Sequence, residues 1–386
     1  MIFFNSLTGD APFLRYSKSL DLMSIRLDDE TFEKCSEYVM SNILVSPILF
    51  ERYPKMNNRL KQVKEEFEDV CIFVDSGSFK VQTGELTYEY VLKKSYELYQ
   101  KFEKEIGGDI YVAPDWPLTG HESEEYQRKI VQKTVSEVIK FYNRCSDDFK
   151  EKLIAPIHGF TYEQIDYCIS EYLANCDFNY FAFGSLPTKQ NSSGSFSVMY
   201  LDIETLQRIV YILRKLKENG KDYLHVFGIG NQPAMYVLSS LGVSSVDSTS
   251  LSRITNRPNI VLPFTFGFRP SIQQELSQTF YELRDIWSHR CCFCNNMEEL
   301  VLDGWCRYSH NAICFSQTLE RSQLISVDEI IELYNRSIDL LQQKIQDKSV
   351  DERKMFRSTF MTFYQWRIPK IILEYKRFLE MDKEVV

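Results

Sequence analysis

Two aspartates, Asp75 and Asp247, stand where a short apolar run gives way to a polar turn, in CIFVDSGSFK and in SSVDSTS. Paired carboxylates on separate strand ends suit chemistry at a glycosidic bond. One attacks the anomeric carbon while the other moves protons, because an oxocarbenium-like transition state needs negative charge beneath it. The bland reading of Asp247 is a capping aspartate beside Ser248 and Thr249. Spacing alone does not show that the two carboxylates face one another.

The elements that must position them are read from hydrophobic patterning. His225 to Ser250, HVFGIGNQPAMYVLSSLGVSSVDSTS, reads as a strand from Leu224 to Phe227, a turn at Gly228 and Gly230, a helix from Pro233, and a second strand delivering Asp247. The same alternation recurs upstream. A run over 42–50 broken by Pro47, then CIFVD, DIYVAPD, LIAPIHG and FNYFAFGSLP, are each followed by a helical stretch or by a loop leading to one. Helices are expected over Asp28 to Met40, Tyr88 to Glu105, Glu122 to Tyr142, Thr161 to Ala174 and Ile203 to Glu218, with the residues before Asp28 as loop. Repeated strand–helix units argue for parallel strands, and the count suits an α/β fold of the (β/α)8 TIM-barrel type. Its active face would collect Asp75, Asp115, His158, Gly184 and Asp247. A doubly wound open sheet is the alternative.

The barrel pattern stops near residue 265, so residues 1–265 are expected to form the catalytic barrel. Residues 266–386 would form a zinc-binding and helical C-terminal subdomain packed on it, with helices near 327–346 and 351–380. The last helix carries Arg353, Lys354, Arg357, Arg367, Lys370, Lys376 and Arg377 among aromatic residues, with Pro369 as a kink. That pattern fits a phosphate-binding surface as well as a core stripe with a solvated basic face.

Composition bounds the partners. With 386 residues, 54 acidic side chains against 45 basic ones and a net charge of -9, nonspecific charge-driven nucleic-acid binding by the whole surface is disfavoured, so any such contact is local. The 10 cysteines lack the spacing of a secreted disulfide scaffold, which argues for a reduced, cytoplasmic protein. No run approaches the roughly 18 apolar residues of a membrane span, and MIFFNSLTGDAPF has no basic leader.

Taken in order, these motifs resemble the tRNA-guanine transglycosylase superfamily, zinc-containing (β/α)8 enzymes that exchange guanine for a 7-deazaguanine. Asp75-Ser76-Gly77-Ser78-Phe79 is similar to the family's DSGGFQ, Asp115 to its base-reading aspartate, and His158-Gly159 to its Gln-Gly. Gly184-Ser185-Leu186 resembles Gly-Gly-Leu, the stretch from His225 to Asp247 resembles MGVGxP…GVDxFD, and His310-Asn311 resembles the zinc-ligand His-Asn. The resemblance implies a double displacement, with Asp247 as nucleophile and Asp75 as general acid and base. It further implies that Asp115 binds the N1 and 2-amino edge of the base, with Ser76, His158, Gly184, Ser185 and Leu186 around it. Phe79 and Phe227 would sandwich the ring.

The cysteine region departs from the family's C-x-C-x2-C…H, since Met297 takes the third place. Cys291-x2-Cys294 with Cys306-x3-His310 is an ordinary structural-zinc spacing, so these four are the expected ligands. Cys292 competes for one place, His289 reads as a helix end next to the cysteines with a spare-ligand role as its alternative, and a reduced metal-free cluster is the alternative to zinc. A closed shell of this kind would be structural. His121 reads as a loop residue and His225 as a strand residue.

Further departures bear on the nucleic acid. After Asp247 the tRNA enzymes carry PTR…RxG, where this chain has STSLSRITNRPN, keeping Arg253 and Arg257 as phosphate or base contacts alongside Arg367 and Lys370. With DSGSFK and His158, these changes resemble the divergent branch that places 7-deazaguanines, such as 7-cyano-7-deazaguanine, in DNA. The expected partners are therefore DNA, or tRNA as the alternative, and the free 7-deazaguanine base. A homodimer and helper ATPases belong to the same resemblance. A noncatalytic RNA-binding subunit predicts loss of the two carboxylates, and both are present.

Overall fold

In the computed structural model, residues 1–48, 53–82, 86–186, 188–190, 196–198, 201–256, 259–266, 274–347 and 368–383 are described. Eight parallel strands close into a barrel. In chain order they are Ile2–Ser6, Asn42–Val45, Cys71–Val74, Ile110–Val112, Leu153–Ile157, Tyr180–Phe183, Tyr223–Val226 and Ser245–Ser248. Most are near-continuous runs of β-branched and aromatic residues, as expected of parallel strands covered on both faces.

The first strand was missed by patterning. IFFNS lies where loop was expected, and the helix Asp10–Arg26 follows it. Its five residues show no period of two, because one face fills the barrel and the other meets the surrounding helices. It closes the barrel, pairing Phe4 with Asp247 on the eighth strand and Asn5 with Ile43 on the second.

Helices follow the strands, several with a side-chain cap at the start. Thr87, Ser123, Thr161, Asp202 and Asn231 each accept a backbone N–H of the helix that follows. Tyr88–Glu105 and Ile203–Glu218 agree with expectation to the residue, and Glu124–Arg144 and Tyr162–Asn175 within two.

The barrel interior is aromatic in its middle layer, where Phe4, Phe73, Val112, Ile154 and Ala182 are buried. Outside, the C-terminal helix Gly304–Arg321 packs on Asp10–Arg26 and is buried over most of its length. Asn311 clamps it to the loop after the last strand. Its Oδ1 accepts from Val261 N at 3.0 Å, and its Nδ2 donates to Thr255 Oγ1 and Asn259 O, both at 3.1 Å. Asn5 of the first strand also donates to Tyr308 Oη. Val327–Gln346 and Lys370–Lys383 complete this layer. All 10 cysteines are free. No helix among the described residues is long and apolar enough to cross a membrane.

Candidate active site and metal centre

Side chains alternate along a strand, so residues 245 and 247, 223 and 225, and 4 and 6 point into the barrel, the later of each pair nearer its C-terminal mouth. Asp247 sits at that mouth and is buried. Its Oδ2 accepts the Ser6 hydroxyl at 2.7 Å. Its Oδ1 accepts Gly228 N–H at 2.8 Å, and His225 Nε2 lies 3.3 Å from the same oxygen. Two glycines allow this approach. Gly228 has φ 72, and a Cβ on Gly230 would lie 2.1 Å from that of Ser248.

Asp75 follows the third strand, and its Oδ2 accepts Gly77 N–H at 3.0 Å. Burial pushes its carboxyl up to about 7, helped by the negative charges of Asp115 and Asp247, although hydrogen bonds from Gly77 and Ser76 pull the other way. The influence of Asp115 and Asp247 on Asp75 fits carboxylates carried at the C-terminal ends of strands in one barrel.

Asp115 and His158 form a buried pair. His158 Nε2 is 2.8 Å from Asp115 Oδ2, and the Ser76 hydroxyl donates to Asp115 Oδ1 at 3.1 Å. The other ring nitrogen, Nδ1, is 3.2 Å from Ser185 Oγ, which also accepts Gly159 N–H at 2.9 Å. Both nitrogens of His158 thus have partners within the protein. Gly184 N–H is spent on Ile157 O and Leu186 N–H on Gly184 O, which leaves the Leu186 side chain buried against this corner.

Phe227 is half-buried at the mouth, edge-on to Phe73 at 6.2 Å and to His225 at 4.7 Å. Phe79, expected to supply the opposing face, begins the short helix Phe79–Gln82, its side chain lying outside what is described, and Arg257 and Arg367 lie outside the described residues. Arg253 is exposed on the short helix Ser250–Asn256 after Asp247. Lys370 is exposed at the start of Lys370–Lys383, 4.0 Å from Glu374 and on a different element from Arg253.

The metal-ligating group differs from the expected one in one member. His289, Cys291, Cys294 and His310 bring one donor atom each within 4.8 Å of one another. Cys306 is not among them. Its thiol donates to Glu299 Oε1 at 3.0 Å and Asp303 Oδ2 at 3.2 Å, in a group closed by Arg26 at 2.6 Å from Glu299. Carboxylate acceptors and an arginine hold that thiol away, and His289 takes the fourth place from the turn after Gln274–Ile286. Cys292 is exposed.

The donor chemistry fits zinc. His310 Nε2 donates to Val261 O at 3.0 Å, and His289 Nδ1 is 2.6 Å from Gln317 Oε1. Each outer carbonyl fixes a tautomer that turns the other nitrogen's lone pair inward, the usual support for metal-bound imidazole. Burial pushes the His289 imidazole down, against hydrogen bonding with Cys294 and Gln317 that pulls it up. The Cys294 thiol is held well down by hydrogen bonding to Cys291 and to the two histidines, while burial pushes Cys291 up. Two thiols and two imidazoles would fill all four places around a zinc ion, the composition of a structural rather than a catalytic site.

Ser6, His225 and His289 were overlooked or read blandly from the sequence. Ser6 sits in the unrecognised first strand, and His225 touches Asp247 only through strand register. For His289 the nearby cysteines were a usable signal.

Residues 53–297 match a family model described as queuine tRNA-ribosyltransferase, a match over more than half of the chain. It includes Asp75, Asp115, His158, Asp247 and three of the four candidate metal ligands, and stops short of His310. A tRNA-guanine(15) transglycosylase of Nanoarchaeum equitans (strain Kin4-M) is 27% identical over 200 residues, which covers 51% of this chain and 43% of that protein. The match therefore spans less than half the length of that relative.

Proposed function

The chain belongs to the queuine tRNA-ribosyltransferase family, and from that premise we propose that it is a guanine transglycosylase exchanging guanine for a 7-deazaguanine, such as 7-cyano-7-deazaguanine, in DNA. The observation that carries the reading is the placement of Asp247 and Asp75 at one mouth, the first held by three donors and the second raised to about 7 by burial and by its acidic neighbours.

In the first half-reaction Asp247 attacks C1′ of the target nucleotide. The C1′–N9 bond breaks with its electrons going to the purine, which takes the Asp75 proton. In the second, the incoming 7-deazaguanine gives its N9 proton to Asp75, N9 bonds to C1′, and the Asp247 carboxylate is released. A carboxyl near 7 can do both tasks around neutral pH. Asp115, with Ser76 and His158 holding its oxygens in place, accepts from N1–H and the 2-amino group, while Phe227 supplies a flat apolar wall. The target base must leave its stack to reach this mouth, at a cost of a few kcal/mol. His289, Cys291, Cys294 and His310 would hold a zinc ion, which would tie the turn after Gln274–Ile286 to Gly304–Arg321 and so add to folding stability.

DNA is favoured by STSLSRITNRPN after the nucleophile, which lacks the arginine-rich reading run, together with DSGSFK and His158. Exchange in tRNA is the second reading, favoured by the name of the archaeal relative. Mass spectrometry of nucleosides from the DNA and the tRNA of cells expressing the chain separates them. A deazaguanine in DNA alone is expected, one in tRNA alone transfers the activity to tRNA, and none in either pool overturns base exchange.

A further inference from the structure

His225 is fully buried inside the barrel, and Ser245 is its register partner on the eighth strand. Its Nδ1 lies 2.8 Å from Ser245 Oγ, whose other neighbour is the Tyr223 hydroxyl at 2.7 Å. Its Nε2 lies 3.3 Å from Asp247 Oδ1. Tyr223, Ser245, His225 and Asp247 thus form a line from the barrel floor to its mouth. The remaining surroundings of the imidazole are aromatic, with Phe73, Phe227 and Phe4 at 4.6, 4.7 and 6.1 Å.

The direction of this line follows from donor arithmetic. An ionised carboxylate only accepts, so the nitrogen facing Asp247 carries a proton. In the neutral ring Nδ1 then accepts from Ser245, and Ser245 accepts from Tyr223, so every O–H and N–H in the line points toward Asp247. Such a chain polarises itself, and its aromatic lining leaves it unscreened by water. At the carboxylate, Oδ1 receives both Gly228 N–H and His225 Nε2–H, whereas among the described residues Oδ2 receives only the Ser6 hydroxyl. The oxygen with a lone pair to spare is Oδ2.

We propose that His225 is a positioning residue for the base exchange proposed above, and the assignment rests on that reading. By engaging Oδ1 through Nε2–H it turns Oδ2 toward the anomeric carbon. In the second half-reaction N9 of the incoming base bonds to C1′, the C1′–O bond breaks, and its electron pair returns to Asp247. The bond from His225 strengthens as that charge appears, and the proton stays on the imidazole.

The test compares His225→Leu, which removes the donor, with His225→Gln, whose amide reaches about as far as Nε2. Rapid-quench kinetics of the full chain, with a guanine-containing DNA or tRNA and 7-cyano-7-deazaguanine, separates formation of the covalent adduct from its discharge. Leucine is expected to slow both by about 30-fold, the scale of one buried hydrogen bond to a charged group, with KM for the free base nearly unchanged. Glutamine is expected to restore most of the rate. A leucine variant as fast as wild type, or glutamine no better than leucine, overturns the role of His225 while leaving base exchange intact. Wild type forming no adduct with either nucleic acid overturns base exchange and the role built upon it.

Nitrogen-15 NMR of the five histidines reads the contact without activity. A proton on Nε2 of His225, with a resonance that moves on Asp247→Asn, is expected, and a ring protonated on Nδ1 alone refutes the proposed line.

Discussion

Ser6, on the first barrel strand, donates its hydroxyl to Oδ2 of Asp247, on the last, across 2.7 Å and 241 positions of sequence. Closure of the barrel makes this contact, because the register that pairs Phe4 with Asp247 leaves Ser6 at the mouth beside it. Replacing Ser6 with alanine removes a hydrogen bond to a charged group, an effect of about 1.5–3 kcal/mol in buried settings. Adduct formation is expected to slow about 10-fold or more. Single-turnover rates measure this, and an unchanged rate would show that the contact does not orient the nucleophile.

Asp75 makes a pH prediction whose sign differs between the two half-reactions. Expulsion of guanine needs the protonated carboxyl, so the rate of adduct formation should fall as pH rises through about 7. Discharge by the incoming base needs the carboxylate and should rise through the same range. Parallel pH profiles for the two halves would remove Asp75 from both roles.

The same shift affects stability. The folded-state value of Asp75 lies above its ordinary 3.8, so its favourable contribution is complete below that value and is lost as pH rises toward about 7. Asp75→Asn should therefore melt at a higher temperature than wild type at pH 8, and the advantage should shrink toward pH 4. Thermal unfolding across that range tests it, and a constant difference would mean that the carboxyl is not strained by burial.

Metal content distinguishes the ligand set in the structure from the one suggested by spacing. His289→Ala should lose the bound metal, whereas Cys306→Ser should keep about one ion per chain, as four ligands predict. Elemental analysis reads both. Chelation of the wild type should lower its melting temperature, since binding energy at such a site is folding energy. Metal lost from Cys306→Ser and kept in His289→Ala would restore the spacing-based assignment.

Arg253 is exposed on the helix just after Asp247, and the proposed nucleic-acid exchange assigns it a phosphate. Arg253→Ala should weaken nucleic-acid binding about equally for all sequences and reduce the slope of log affinity against log salt by about 1. Binding measured by anisotropy at several salt concentrations checks this, and an unchanged slope would place the phosphate elsewhere.

Six of the eight barrel strands were legible as compact apolar runs ended by a glycine or a polar residue, and Ser245–Ser248, with Val246 as its one apolar residue, was legible as the exit of the strand–helix–strand unit around Gly228 and Pro233. Asp75, Asp115, His158 and Asp247 were legible for the same reason, as polar residues at the ends of such runs. IFFNS was not, since a short strand buried on both faces shows no alternation to mark it.

What the chain determined by itself was therefore the order of its strands and the types of residue carried at their ends. Which groups touch was decided by tertiary structure. Barrel closure put Ser6 on one oxygen of Asp247, and strand register put His225 against the other. The turn after Gln274–Ile286 brought His289 to Cys291, Cys294 and His310, while Glu299 and Asp303 drew Cys306 away. Hydrogen bonds and metal-ligand contacts reach only a few ångströms, and sequence separation carries no information at that range once strands and helices pack.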